Sequence, residues 1–156
     1  MIKQVIHATN ICGIDSLINN QQEYIDNNNY LCCSSVGCND YLHRQILLLV
    51  EGDVVREYTG DIGSIGMNAK NTPYDELHIE GSFDIIGLYI PANIEFFDLK
   101  EYAIAKYIFE NIYDTCIEIN ATDEQKQYIN TEYDNIIKLS EEDYQELFES
   151  YKIYNY

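Results

Sequence analysis

A chain of 156 residues that is 46% hydrophobic and holds two prolines is long enough to bury a core and too apolar to remain unfolded, so it reads as a single domain over 1–156. Nine basic residues against 27 acidic ones leave a formal net charge of −18; this repels nucleic-acid backbones and anionic lipid, disfavours direct nucleic-acid binding, and favours a protein target with a basic surface. No run of eighteen apolar residues occurs, and residues 1–20 lack the basic start and long apolar centre of an export signal. The expected location is therefore cytoplasmic, with no membrane contact.

KQVIHA (3–8) predicts a first strand. Asn10 is placed to cap a helix over about 11–23, where Ile11, Ile14, Leu17 and Ile18 recur at helical spacing. LCCSS (31–35) reads as a short buried strand, followed by the turn-forming VGCND (36–40). QILLLVEG (45–52) predicts a central strand, and VVREY (54–58) its hairpin partner across Glu51-Gly52-Asp53. The stretch 59–73 carries Gly60, Gly63 and Gly66 without periodicity, long for a silent connection. DELHIEG (75–81) and FDIIGLYIP (83–91) predict two more strands; in the first, Glu76, His78 and Glu80 share one face and Leu77 and Ile79 the other.

The last third turns helical. Asp98 precedes a helix at about 99–113, with Tyr102, Ala105, Ile108, Phe109 and Ile112 on one face, and CIEIN (116–120) reads as a strand. Thr122 and Gln125 have capping-box spacing for a helix near 123–139, and Ser140 precedes another at 141–152. The fold class is α+β: a compact β-rich core over about 1–93 with one early helix, then a helical part over about 94–156.

Five cysteines without an export signal read as reduced thiols. Cys32, Cys33, Cys38 and His43 do not have zinc-site spacing, and adjacent cysteines on a strand point to opposite faces, so the expectation is no metal site. There is no G-x-S-x-G elbow and no Walker loop.

His7-Ala8-Thr9, the helix-like GIDSLINN (13–20), Cys33-Ser34-Ser35 and the acidic, glycine-ended Asp75–Gly81 occur in an order that resembles the histidine-containing branch of the ADP-ribosyltransferase fold, including small phage and toxin members. The resemblance covers about residues 4–91; Tyr74 stands where the family often has an acidic residue or glutamine, two positions before the catalytic glutamate. It implies an NAD-dependent mono-ADP-ribosyltransferase that consumes NAD as cosubstrate and modifies a host macromolecule, acting in the host cytoplasm if phage-encoded. It implies Glu76 as the catalytic carboxylate. His7, Thr9, Ser34, Ser35 and Tyr41 would hold NAD, converging with Glu76 on one cleft. A carboxylate there stabilises the oxocarbenium-like centre formed as nicotinamide leaves, and Tyr41 or Tyr58 offers a ring for stacking. The alternative from charge alone is a non-catalytic acidic inhibitor or immunity-type protein that covers a basic surface by nucleic-acid mimicry.

Overall fold

A computed structural model describes residues 1–19, 21–27, 30–36, 46–58 and 76–154. The glycine-rich stretch 59–73, Cys38, Tyr41 and His43 lie outside them. The architecture is mixed α/β: one five-stranded sheet with helices packed on it. In chain order the elements are β1 (Ile2–Thr9), α1 (Ile11–Asn19), α2 (Gln21–Asp26), β2 (Tyr30–Ser35), β3 (Ile46–Tyr58), β4 (Glu76–Tyr89), α3 (Leu99–Tyr107), β5 (Glu118–Asn120), α4 (Asp123–Ile137) and α5 (Glu141–Tyr154). Strand order is β2-β1-β3-β4-β5, and β2 also pairs with β4. All pairings are antiparallel except β4 with β5.

The sheet thus returns on itself. β1 runs beside β3 along its whole length, from Ile2↔Asp53 to Thr9↔Ile46. The first half of β4 lies between β2 and the end of β3, and its second half between β3 and β5. Gly81, at φ +91°, sits where β4 passes from one set of neighbours to the other, in a backbone region that a side chain disfavours.

Two expected turns are absent. Glu51-Gly52-Asp53 does not fold back: residues 46–58 form one strand with register shifts around Gly52 and Val54. Gly52 marks a close approach, because a Cβ there would stand 3.0 Å from the Ile79 side chain. Residues 75–81 and 83–91 likewise do not form two strands, because 76–89 run as the single strand β4. A Gly-containing triplet in a strand marks a bulge or a bend as readily as a turn, and tertiary packing chose the former.

α1 and α2 cover the expected early helix on either side of residue 20, which lies outside the described residues. Asn10 caps α1 as its position suggests, its Oδ1 accepting from the Gly13 amide at 2.8 Å. The core gathers Val5, Leu31, Cys33, Leu48, Val50, Leu77, Ile79 and Leu88 from the strands with Ile11, Ile14, Leu99, Ile104, Phe109 and Ile129 from the helical part and α1. α3 is buried on most of its circumference, because it lies between the sheet and α4. Its continuation, Ile108–Ile112, is a π-helical turn that keeps Phe109 buried and turns Ile112 outward, against the helical spacing that grouped them. Thr122 and Gln125 form the expected capping box. No helix among the described residues is long and apolar enough to cross a membrane.

Two buried tyrosines behave oppositely. The Tyr102 hydroxyl accepts from the Leu47 amide and donates to the Tyr89 carbonyl, each at 3.3 Å, tying α3 to two strands. The Tyr144 hydroxyl is buried with no hydrogen-bond partner among the described residues. Tyr102→Phe should lower the free energy of unfolding by about 1–3 kcal/mol, because it strands a buried amide, whereas Tyr144→Phe should leave stability unchanged or raise it. Urea denaturation of both variants checks the contrast.

Candidate functional site

Register decides which side chains meet. Cys33 pairs with Leu77 and Cys32 with His78, so the period of two sends Leu31, Cys33, Leu77 and Ile79 into the core and sets Tyr30, Cys32, Glu76, His78 and Glu80 on the other face. There the Cys32 thiol donates to Glu76 Oε1 at 3.3 Å, and His78 Nε2 lies 3.0 Å from the same oxygen. The Tyr30 ring stacks on His78, with centroids 4.0 Å apart. Glu76 and His78 are buried, and Cys32 is exposed.

Glu76 stands between the cysteine and the histidine. A thiol nucleophile needs the reverse order, with histidine next to sulfur and the carboxylate behind. Burial, then the hydrogen bond and negative charge of Glu76, push the Cys32 thiol up to about 12, so it stays protonated near neutral pH. As a trio the residues instead offer one sulfur, one oxygen and one nitrogen within 4.8 Å of one another. The expectation of no metal-ligating group weighed Cys32 with Cys33, Cys38 and His43; the donors that converge on Cys32 are Glu76 and His78. The Glu-x-His alternation was visible in the sequence, but its pairing with Cys32 depends on register between strands more than forty residues apart.

The other candidate residues are distributed around β1 and β2. Ser34 is buried and pairs with Ile6, on the face of Cys32 and Glu76; Ser35 pairs with Val5 on the opposite face. His7 shares Val5's face. Its Nδ1 lies 2.7 Å from the Cys32 carbonyl, just past the last β1–β2 pair, where it continues the contact between the two strands. The Thr9 hydroxyl sits 3.5 Å from the Asn10 carbonyl at the corner between β1 and α1. His7 and Glu76 therefore approach β2 from opposite faces, and of the residues expected around one cleft, His7, Ser34 or Ser35, and Glu76, it is Ser34 that shares the face of Glu76. The physical reason is parity: with Ile6 opposite Ser34 and Cys32 opposite His78, the even positions of β1 share the face of Glu76 and His78, and His7 is at an odd one. Tyr41 lies outside the described residues.

A second feature, missed by motif reading, lies on the helical side. Lys100 of α3, residues of α4 and α5, and the connection between them bound an open groove of about 610 Å³. Ile136, Leu139 and Leu147 supply apolar surface, and Glu132, Asp143 and Glu146 supply carboxylates. Between Asp123 and Glu149 the chain has nine carboxylates and two lysines.

Comparison with protein-family models, curated proteins and solved structures finds no match to this chain.

Burial holds the His7 imidazole below its usual value near 6.5, partly offset by its bond to the Cys32 carbonyl. The unfolded chain then binds a proton that the folded chain resists, so His7 costs stability as pH falls through about 6.5 and below. Glu101, raised to about 7 by burial and then by Asp98, slopes the opposite way in this range, so the readout is a difference. His7→Asn should flatten the acid limb relative to wild type in urea denaturation between pH 7.5 and pH 5; an unchanged slope would remove His7 as a titrating group.

Proposed function

We propose that this chain is an acidic binding protein that docks a basic protein surface through the α4–α5 groove and acts as an inhibitor by covering that surface. The observation that carries the reading is the groove itself, where apolar side chains lie among carboxylates on the most acidic stretch of the chain. Apolar contact supplies affinity in such a site, and the surrounding charge supplies steering and partner choice. Of the nine carboxylates on α4 and α5, all but the half-buried Glu132 are exposed. A lysine- or arginine-rich segment with one or two apolar residues fits this chemistry, as does the basic groove of a nucleic-acid-binding protein.

A labelled peptide with lysines along one side and leucines along the other, titrated by fluorescence anisotropy, tests the site. Binding should weaken by roughly tenfold or more between 50 and 300 mM salt. It should be lost in a Glu132→Lys, Asp143→Lys, Glu146→Lys triple variant and persist in a Glu51→Lys, Glu57→Lys, Glu80→Lys control of equal charge. Equal loss in both would mean that net charge alone attracts the peptide and that the groove is not the site.

A second reading, an NAD-dependent mono-ADP-ribosyltransferase, is favoured by one observation: the strands carrying Glu76, Ser34 and His7 are consecutive neighbours, β4 beside β2 beside β1. It keeps Glu76 as the catalytic carboxylate, with Ser34 on its face, and leaves His7 on the other side of the sheet. Nicotinamide release from labelled NAD, lost by a hundredfold or more in Glu76→Gln, would establish it over the binding protein. No release in the presence of a bound basic partner would retire it.

A further inference from the structure

We infer that Cys32, Glu76 and His78 form a binding site for a divalent cation of the zinc class, with its fourth position open to solvent. Three observations carry this. The donors are of the mixed sulfur, oxygen and nitrogen type that such ions select over magnesium or calcium, which take oxygen. Their spacing is close to what coordination needs: metal bonds of about 2.0–2.3 Å put tetrahedral ligand atoms roughly 3.3–3.6 Å apart, and the contacts here are 3.0 Å from oxygen to nitrogen and 3.3 Å from oxygen to sulfur. The donors also come from a rigid frame. Cys32 and His78 are directly opposite on paired strands, Glu76 is two residues from His78 on the same face, and Tyr30 stacked on the imidazole fixes its plane.

Glu76 and His78 are buried against the sheet, while Cys32 is exposed, so an ion enters from solvent and keeps water or a small ligand at its fourth position. On binding, sulfur–metal, oxygen–metal and nitrogen–metal bonds replace the two hydrogen bonds to Glu76 Oε1: the thiol proton passes to solvent, and the imidazole proton moves by exchange with solvent from Nε2 to Nδ1, which frees the Nε2 lone pair for the metal. Three protein ligands with one open position is the coordination that serves catalysis, as opposed to a closed structural site. The inference does not rest on the docking groove, which lies among the helices, and it competes with the NAD reading for Glu76.

Cobalt(II), added to the metal-free chain of 156 residues, reports the ligands directly. One equivalent should give a near-ultraviolet thiolate-to-cobalt charge-transfer band with visible bands of four-coordinate intensity, and zinc should abolish both by displacement. Cys32→Ser should lose the charge-transfer band. His78→Ala and Glu76→Gln should each weaken binding by tenfold or more, with an unchanged far-ultraviolet dichroism spectrum certifying the fold. A Cys12→Ser, Cys38→Ser, Cys116→Ser variant should keep the band in full, and it provides the decision if Cys32→Ser fails to fold. The inference is overturned by a band that survives Cys32→Ser, by one that disappears in the triple-cysteine variant, or by no binding below millimolar cobalt. NAD turnover measured in chelator separates these outcomes from the transferase reading, since loss of metal binding leaves that assay unaffected.

Discussion

β2 is only six residues long, yet it is hydrogen-bonded to β1 at one end and to β4 along the rest. That double pairing closes the sheet and fixes parity on both sides at once. Ser34 must face with Ile6, Cys32 with His78, and Cys33 with Leu77. A shift of one residue would expose Leu31 and Cys33 and drive Cys32 into the core. Burial of Leu31 and Cys33 against Leu77 and Ile79 therefore holds the polar trio in place, and hydrophobic packing on one face is the reason for the chemistry on the other.

The elements themselves were largely legible. Helix α4 was announced by Thr122 and Gln125, α1 by Asn10, and β1 and β2 by short runs of apolar residues, because caps and periodicity act over a few residues. The bends were not. Gly52 and Gly81 look locally like turn formers, but one is a point of close packing against Ile79 and the other a bend within a strand that changes partners. Which of these a glycine does depends on neighbours far away in sequence.

The same limit divides the candidate site. Glu76 and His78 on a common face follow from alternation within one strand, so that half was readable. Cys32 joining them, and His7 falling on the opposite side, follow from pairing between β1, β2 and β4, which no local pattern encodes. An ordered series of short motifs does not carry parity, and parity decides whether a histidine and a glutamate face the same ligand. The acidic groove is different again: its carboxylates are plain in the composition, but the apolar residues between them acquire meaning only when α4 and α5 are placed side by side.

The register of β2 against β4 is the claim on which the trio and the placement of His7 on the other face from Glu76 both depend, and a cross-link measures it. The substitution His78→Cys places a thiol directly opposite Cys32 and on the far face from Cys33. After mild oxidation, peptide mapping should find a disulfide joining Cys32 to the thiol introduced on β4, with Cys33 still reduced. A disulfide from Cys33 to that introduced thiol would show the strand slipped by one residue, and with it the face assignments of Glu76, His78 and Ser34 would be wrong.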